Sequence, residues 1–302
     1  MAARGGGLWP LAVAVAALAV SSCSVPDTGE GDLADLVPAD VADRGVLLVA
    51  TDPTFPPAQL PARQEFQGVQ SGPYTGFEVE LVEAAASRLG LEVQWVDVPF
   101  ADVLTTVTEG EVDMGAASIT VTDERAAEVD FVTFFATGTQ WAAAQPNTLG
   151  VTPNNACGAR VAVQAGTVQE EDLTQRSARC EQAGRDPIDV RTFERQDEAT
   201  AAVLAGVADA FVADQPVVTW AIQQAGTAGS AAGTVTGRIA FAGSPYDVEP
   251  YGWAFDPQDS ALAEAMLAAL QDVAADGDYL DILDRWGVAD GALPADELVR
   301  VP

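Results

Sequence analysis

The chain has 302 residues, of which 48% are hydrophobic, so it is long enough for about two domains with sizeable cores. Its 45 acidic residues outnumber its 14 basic residues, all of them arginine, and the net charge is −31. Because phosphate backbones are bound by basic patches, this charge argues against nucleic acid as a partner. The absence of histidine excludes imidazole bases, histidine-containing triads and histidine metal sites.

The N-terminal segment has the pattern of an export signal. Arg4 is followed by an apolar run over residues 8–20, which is too short to span a bilayer comfortably and suits a signal peptide. Small residues then precede Cys23, as in the bacterial lipobox, where cleavage leaves an N-terminal lipidated cysteine. An ordinary secretory signal with an incidental cysteine is the alternative. We predict a signal peptide over residues 1–22 and a polar tether over residues 23–43.

The next segment alternates strands and helices. A short apolar run at residues 46–50 is typical of a strand buried on both faces. The loop "TDPTFPP" then places Asp52 and Phe55 at the carboxyl end of that strand, where open α/β sheets bind ligands. Asp52 could equally stabilise the turn, and Phe55 could plug the core. The pattern continues with a helix over residues 77–89, a strand over 91–96, a helix from Phe100 and a strand over 112–117, which predicts a parallel sheet.

The stretch "ASITVTDER", residues 117–125, follows the third strand and opens a short helix. It places small residues and hydroxyls beside Arg125, whose guanidinium can bind a carboxylate through two parallel hydrogen bonds. The alternative is a Ser/Thr helix cap with Arg125 on a solvated face.

The strand and helix pattern restarts after candidate strands at residues 129–135 and 139–144. A strand over residues 160–163 leads into "QAGTVQEE", where Thr167 and Glu170 have the spacing of a capping box. Gly166 and Thr167 would then form a helix N-terminus able to bind an anion, with a plain cap as the alternative.

The second half also echoes the first. A strand over residues 208–214 ends at Asp214, and the segments "TTVTEGEVDMGAAS" and "AAVLAGVADAFVAD" place Asp113 and Asp209 in corresponding positions. The echo indicates two similar lobes. A return crossing over residues 244–255 and two helices, over 261–274 and 276–287, complete the pattern.

Two cysteines, Cys157 and Cys180, are left once Cys23 is assigned to lipid. In an exported protein an even remainder suggests a disulfide, and two free thiols are the alternative. Two thiols without histidine do not complete a zinc shell, so we predict no metal site.

An ordered set of segments resembles a known family. These are "TDPTFPP", "GFEVELVEAAASRLGL", "GEVDMGAASITVTDERAAEVDF", "VAVQAGTVQEEDL", "GVADAFVAD", "YGWAF" and "DGDYLDILDRWG". Together, over residues 45–288, they are similar to the extracellular solute-binding proteins of family 3, the amino-acid receptors of ABC importers. The chain resembles in particular the lipoprotein members from actinobacteria, which also carry a cysteine pair at the places of Cys157 and Cys180.

The resemblance implies an α/β, two-lobed, periplasmic-binding-protein-like fold of type II. Each lobe would hold a central, mostly parallel sheet flanked by helices, and two hinge crossings would join the lobes. On this basis we expect lobe 1 to comprise residues 44–138 and 248–290, lobe 2 residues 139–247, and a C-terminal tail residues 291–302.

The resemblance also implies a site between the lobes that holds an amino acid. Arg125 takes the role of gripping the ligand α-carboxylate, and Asp214 pairs with the α-ammonium. Because these charges come from opposite lobes, both lobes must close before the ligand is satisfied. The other implied contacts are Ser118, Thr120 and the Ala117 carbonyl for orientation, Gly166 and Thr167 for the carboxylate, Phe55 and Phe100 as an aromatic clamp, and Asp52 and Gln164 for side-chain selection.

The function that we expect is therefore a monomeric, lipid-anchored amino-acid receptor that needs no cofactor. It would lie on the outer face of the cytoplasmic membrane and deliver its ligand to the permease of an ABC transporter. Family members often carry a lysine or histidine near the ligand side chain, which this chain lacks, so a basic ligand is compatible, although an arginine could serve an acidic one. The loop over residues 58–74 is unmatched, so the sequence does not identify the ligand.

Two other functions are alternatives for a chain with this pattern. A dehydratase-like enzyme acting on a cyclic amino acid would need a positioned acid, and Glu80 and Glu109, on helices, are not obviously in the cleft. A sensor domain would need a transmembrane helix after the last lobe, whereas residues 288–302 are polar. We therefore expect a binding protein and not an enzyme.

Overall fold

The computed structural model describes residues 1–2, 33–62, 74–228 and 238–302. The predicted signal peptide, Cys23 and most of the tether lie outside the described residues, and the fold below is that of the unit Leu33–Pro302. The strands are β1 (Val46–Thr51), β2 (Leu60–Pro61), β3 (Tyr74–Thr75), β4 (Glu92–Asp97), β5 (Met114–Thr120), β6 (Asp130–Gln145), β7 (Arg160–Gln164), β8 (Asp189–Phe193), β9 (Ala210–Asp214), β10 (Arg238–Phe241), β11 (Tyr246–Phe255) and β12 (Arg300–Val301).

The helices follow the apolar periodicity of the sequence closely. They are α1 (Ala39–Arg44), α2 (Phe77–Arg88), α3 (Val103–Thr108), α4 (Asp123–Ala126), α5 (Val168–Gln182), α6 (Gln196–Leu204), α7 (Gln215–Ala228), α8 (Ser260–Ala275) and α9 (Asp278–Trp286). Short 3-10 turns lie at Leu33–Leu36, Phe100–Asp102, Pro257–Asp259, Ala289–Gly291 and Ala295–Glu297.

The sheet is parallel in its two outer parts and antiparallel between them. Its order is β4-β1-β5-β11-β6-β9-β7-β8, with β10 and β12 also pairing with β6. Strands β4, β1 and β5 are parallel, as are β8, β7 and β9. We call the first group with α2, α3, α8 and α9 the first lobe, and the second group with α5, α6 and α7 the second lobe.

The long strands β6 and β11 are the two crossings. The start of β6 pairs with the end of β11 and with β12, and the end of β6 pairs with β9 and β10. The two candidate strands that the sequence suggests at residues 129–135 and 139–144 are therefore one continuous strand. The aromatic residues of β6 are buried, and the Phe134 ring stacks on that of Trp253 in β11, with the centroids 5.3 Å apart.

The echo between Asp113 and Asp209 has a structural counterpart. Asp113 accepts a hydrogen bond from the Leu48 backbone N–H at 2.7 Å and pairs with Arg44. Asp209 accepts from the Arg160 backbone N–H at 2.9 Å and from the Arg160 guanidinium at 2.6 Å. Each aspartate lies just before a buried strand and bonds the backbone of the neighbouring parallel strand, so both lobes use the same link.

Both ends of the unit pack on the first lobe. Val41 of α1 is buried, so the packed chain begins inside the range predicted as tether. At the other end Leu298 is 0% exposed, β12 pairs with β6, and the Arg300 guanidinium contacts Asp130 at 2.5 Å. The range predicted as a C-terminal tail is thus integrated into the sheet.

Cys157 and Cys180 are joined by a disulfide in the second lobe, with their Cα atoms 5.6 Å apart. The bridge ties the C-terminal half of α5 to the loop before β7. Within the described ranges, no helix is both long enough and apolar enough to cross a membrane.

Candidate functional site

The two lobes face each other across a cleft, and a few contacts join their edges. The Gln164 amide donates to Asp52 Oδ2 at 2.6 Å, and the Gln196 backbone N–H donates to Thr54 Oγ1 at 3.2 Å. Farther along the same boundary, the rings of Trp220 and Trp286 lie 6.3 Å apart. The residues that sequence analysis placed at strand ends therefore meet at this boundary.

Arg125 lies at the mouth of the cleft on α4. Thr122 caps this short helix by accepting the Arg125 backbone N–H at 3.2 Å, as the helix-cap alternative predicts. The guanidinium nevertheless turns inward: it donates to the Thr120 carbonyl at 2.8 Å and to the Gly166 carbonyl of the second lobe at 3.0 Å. It also lies over the Phe100 ring, 5.5 Å from its centroid. The cap is thus present, but the Arg125 side chain is not on a solvated face as that alternative expected, and its role in binding a carboxylate stays a prediction.

Burial disfavours the charged form of the Arg125 guanidinium. Desolvation lowers the pKa of the guanidinium, and the carboxylates of Asp214, Glu124 and Glu171 oppose that shift. A cation in this position gains from any further anion that enters the cleft, because a partly desolvated charge is stabilised by an opposite one.

Asp214 ends β9 on the opposite wall and is buried. Its Oδ1 accepts from the Gln169 amide at 2.9 Å, and the same amide donates to Thr139 Oγ1 at 3.1 Å. Burial raises the pKa of Asp214 to about 6, against the hydrogen bonds from Tyr251 and Gln169 and the charge of Arg125. A carboxylate held this way is stabilised by a cation, so its position suits an ammonium group.

Asp52 and Gln164 form a second polar cluster, on the side of the cleft towards β1 and β7. They are 4% and 1% exposed. Asp52 also accepts from the Thr54 backbone N–H at 3.1 Å, and burial raises the pKa of its carboxyl group. The Gln164 amide nitrogen donates to Asp52 and to the Glu194 carbonyl, and no residue that the structure describes donates to Gln164 Oε1. The cluster thus holds a carboxylate and a free acceptor, both buried.

Thr167 caps the start of α5, but the reciprocal bond of the predicted capping box goes to Gly166, the residue before the cap. Thr167 Oγ1 accepts the Glu170 backbone N–H at 3.2 Å, while Glu170 Oε2 accepts the Gly166 N–H at 2.8 Å. Gly166 has a φ of +75°, and a Cβ atom there would lie 3.0 Å from Ala101 Cβ, so glycine suits the position on both counts. The Gly166 N–H is therefore occupied by Glu170, and Thr167 is the capping residue.

Ser118 is held from the core side by Glu78, a residue that the sequence did not single out. Glu78, in the first turn of α2, is 0% exposed, and its Oε2 accepts the Ser118 backbone N–H at 2.8 Å and the Ser118 hydroxyl at 2.7 Å. The Gln59 amide donates to the same carboxylate oxygen and to Ser118 Oγ. Burial raises the pKa of Glu78 to about 8, although the hydrogen bonds from Ser118 and Gln59 oppose this shift.

Two neighbouring cavities lie along the boundary between the lobes. One, of about 380 Å³, is lined by Thr120 and Asp214, and the other, of about 410 Å³, by Arg125, Gly166 and Thr167. The remaining charged residues that line them are all acidic: Asp123, Glu124, Glu128, Glu171, Asp172, Asp247 and Glu249. Arg125 is thus the one cation among the described lining residues of these cavities.

Comparison with known proteins identifies the family. The sequence profile described as "Bacterial extracellular solute-binding proteins, family 3" matches residues 47–289. The chain belongs to this family. It is 39% identical to the arginine-binding protein ArgT of Corynebacterium glutamicum, over 85% of this chain and 79% of that protein.

Solved structures with this fold include amino-acid-binding proteins. An ancestral arginine-binding protein bound to arginine aligns with a TM-score of 0.70 and 28% identity, covering 81% of this chain and 99% of the other. An ancestral amino-acid-binding protein that is a precursor of cyclohexadienyl dehydratase aligns with a TM-score of 0.66 and 25% identity, over 82% and 97% of the two chains.

In this family 3 protein, two of the implied contacts lie deep in the first lobe. Phe55 is 7% exposed and packs in the hydrophobic core, as its core-plug alternative predicts, and Ala117 is buried in β5. Of the two acids considered for an enzyme, Glu80 binds Arg285 and the Trp286 indole at 2.6 and 3.0 Å, and Glu109 is exposed at the end of α3. Neither is among the residues that line the two cavities.

The residues that sequence analysis missed have a common property. Gln59, Glu78 and Gln169 are polar and buried: the first two lie behind Ser118, and Gln169 lines the cavity beside Asp214. Glu78 occurs in "GFEVEL", where it reads as an ordinary acidic residue in the first turn of a helix. Only its burial sets it apart, and local sequence carries no signal for that.

Proposed function

We propose that this protein is a lipid-anchored receptor for a basic amino acid, with arginine as the foremost candidate, and that it delivers its ligand to an ABC permease. Membership of the family supports an extracytoplasmic amino-acid receptor. The similarity to a protein named as arginine-binding, and to solved arginine-binding structures, supports the choice of ligand.

The observation that carries the ligand class is the buried pair of Asp52 and Gln164. Together they present a carboxylate and a free amide oxygen, and among the described cleft residues beside them no cation neutralises Asp52 by direct contact. Buried acceptors of this kind favour a ligand that brings donors and positive charge. A guanidinium offers five donors in a planar fork, so it suits both acceptors at once.

The α-amino acid part of the ligand would use the charges on the two walls. In this proposal Arg125 exchanges its carbonyl contacts for the ligand α-carboxylate, and Asp214 takes the α-ammonium. Ser118, Thr120 and the Ala117 carbonyl would orient these groups from β5, and Thr167 would contact the carboxylate from the start of α5. Phe100, already against Arg125, would cover the ligand, and Phe55 would support that wall from the core.

The test is calorimetric titration of the exported protein with arginine, lysine, glutamine and glutamate. We expect arginine to bind most tightly and glutamate not to bind. Asp52→Asn should weaken arginine binding by about 100-fold, because removing one partner of a buried charge pair costs about 2–5 kcal/mol, and should affect glutamine much less. Asp189→Asn, an exposed aspartate on β8 paired with Arg191, is the matched control and should change neither affinity.

Tight binding of glutamate, or an arginine affinity that Asp52→Asn leaves unchanged, would contradict the ligand class. No binding of any common amino acid would contradict the receptor function itself.

An enzyme on the same scaffold finds little support. A pKa of about 8 makes Glu78 the strongest acid–base candidate among the described carboxylates of the first lobe, yet its side chain is fully buried beneath Ser118. A general acid must reach the atom that it protonates, and Glu78 lies behind the strand that would contact the ligand.

The anchor is proposed from the N-terminal sequence alone. Lipidation of Cys23 would hold the receptor at the outer face of the cytoplasmic membrane, next to its permease. Cys23→Ser should release the exported protein from the membrane fraction into the medium, and its continued membrane association would refute the anchor.

A further inference from the structure

Ser118 has a backbone conformation that β-strands rarely contain. Its φ is +53°, in the left-handed region, although it lies within β5 and is not glycine. Such residues persist only when their surroundings hold them in place. The question is therefore which group holds Ser118.

The distortion coincides with an irregularity in the pairing of β5 with β11. Gly252 lies opposite Ile119 and Ala254 opposite Gly115, so β5 uses four steps (119 − 115) where β11 uses two (254 − 252). The extra residues of β5 bulge out of the ladder, and Ser118 is one of them. Bulges of this kind commonly re-aim side chains beside binding sites.

One carboxylate accounts for the position of the bulge. Glu78 Oε2 accepts both the backbone N–H and the hydroxyl of Ser118, so two donors of the same residue converge on one oxygen. The N–H that the bulge withdraws from the strand ladder is thereby satisfied in the core. Gln59 donates to Glu78 and to Ser118 Oγ, which holds the carboxylate and the hydroxyl together.

We propose that Glu78 is a positioning residue for the amino-acid site, which it serves by holding the left-handed bulge at Ser118 so that β5 presents the Thr120 carbonyl to the cleft. This inference rests on the proposed function. Glu78 never touches the ligand. It acts through Ser118, and the Thr120 carbonyl that follows the bulge is the acceptor of Arg125 at 2.8 Å. The geometry of the carboxylate grip thus depends on a side chain in the core.

The role is separable from core packing by the choice of variants. Glu78→Met keeps a similar volume but accepts no hydrogen bond, whereas Glu78→Gln keeps one oxygen for the two Ser118 donors. Ser118→Gly tolerates a positive φ without outside help. Glu80→Met, two residues along on α2, removes a carboxylate that binds Arg285 and Trp286 and serves as the matched control.

The experiment measures ligand affinity by calorimetry and the exchange of the Ser118 amide hydrogen in all variants. We expect Glu78→Met to weaken binding by about 10- to 100-fold, the range set by the cost of a strained backbone residue. Glu78→Gln and Glu80→Met should bind nearly as the unmodified protein does. When position 118 is already glycine, Glu78→Met should weaken binding by less than about a tenth as much as it does with Ser118, because glycine no longer needs the carboxylate.

Several results would overturn the proposal. One is a Glu78→Met protein whose ligand affinity is unchanged. Another is a loss of affinity on Glu78→Met that is the same whether position 118 is Ser or Gly. A third is a Glu78→Met protein that unfolds in both backgrounds, which would indicate core packing alone. Folding of Glu78→Met only with Ser118→Gly would support it.

The amide exchange of Ser118 needs no ligand, so it separates the two proposals. If the unmodified protein binds no amino acid, the receptor function fails. The positioning role is then decided by whether Glu78→Met, and not Glu80→Met, removes protection of the Ser118 amide.

Discussion

Replacement of Arg125 by alanine tests the centre of the proposed site. The guanidinium is the one cation among the described residues that line the two cleft cavities, and its present contacts, two carbonyls and the Phe100 ring, are all neutral. The ligand carboxylate would be its first anionic partner by direct contact. The variant should therefore remove a charge-assisted, bidentate interaction and leave the carboxylate with no replacement cation.

The size of the effect follows from that geometry. Truncating one partner of a desolvated charge pair costs about 2–5 kcal/mol, so the affinity should fall by about 30- to 5,000-fold. Arg125→Lys keeps the charge but loses the planar fork, and we expect an intermediate loss of about tenfold.

Stability should change far less than affinity. Alanine removes the hydrogen bonds to Thr120 and Gly166, worth about 1 kcal/mol each, but it also relieves the desolvation that lowers the pKa of Arg125. The free energy of unfolding should fall by no more than about 2 kcal/mol. This modest change separates a binding role from a folding role.

The assay is calorimetry for affinity and thermal denaturation without ligand for stability. Arg191→Ala is the control, because this exposed arginine on β8 pairs with Asp189 away from the cleft. An Arg125→Ala protein that binds arginine as tightly as the unmodified protein would refute the assignment of the carboxylate grip. Loss of the folded state would refute the inference that Arg125 serves mainly the cleft.

Three further predictions concern charge and cross-linking. Because burial raises the pKa of Asp214 to about 6, affinity should fall about tenfold per pH unit below 6 and proton release should accompany binding there; Asp214→Asn should abolish that dependence in calorimetry. Without ligand the sign is opposite, since a carboxyl with a raised pKa stabilises the fold at low pH and loses that contribution as pH rises through about 6. The Arg160 guanidinium lowers the pKa of Asp209, so that link stabilises the fold above the unfolded pKa and weakens as pH falls; Asp209→Ala should cost about 1–3 kcal/mol in urea unfolding. Removing the Cys157–Cys180 bridge, which spans 23 positions, should lower the free energy of unfolding by about 3 kcal/mol and leave ligand affinity unchanged.

Each of these predictions has an outcome that contradicts it. Affinity that stays flat from about pH 4 to about pH 7 would mean that Asp214 stays ionised or does not meet the ligand. If Asp209→Ala were as stable in urea as the unmodified protein, the hydrogen bonds from Arg160 to Asp209 would not stabilise the fold. A large loss of ligand affinity without the disulfide would mean that the bridge contributes to ligand binding and not only to stability.

Sequence periodicity predicted most of the central strands and helices, because their apolar patterns are local, but it did not predict α1, α7 or β10. The cap of α5 is a clear case, since Thr167 Oγ1 accepts the Glu170 backbone N–H three residues along the chain once the helix forms. The echo of Asp113 and Asp209 likewise follows from two copies of one local arrangement. Family membership adds the order of these pieces.

The ends of the unit were harder to predict. Polar composition suggested a tether up to residue 43 and a tail from residue 291, yet Val41 and Leu298 are buried and β12 pairs with β6. A short segment with a few apolar residues carries no periodicity, so its packing depends on whether a larger surface nearby needs cover.

The sequence by itself determined the class of the protein: an alternating α/β pattern, an echoed half and a motif with one guanidinium after a buried strand. The tertiary structure decided which polar side chains meet. Asp52 and Gln164 lie 112 positions apart, and Glu78 and Ser118 lie 40 apart, so their hydrogen bonds form only when strands and lobes are packed together. Burial then changes the properties of these groups, because it raises the pKa of Glu78 and Asp214 and makes an unpaired hydrogen-bond acceptor energetically costly. Burial is a property of the assembled fold and not of any local sequence.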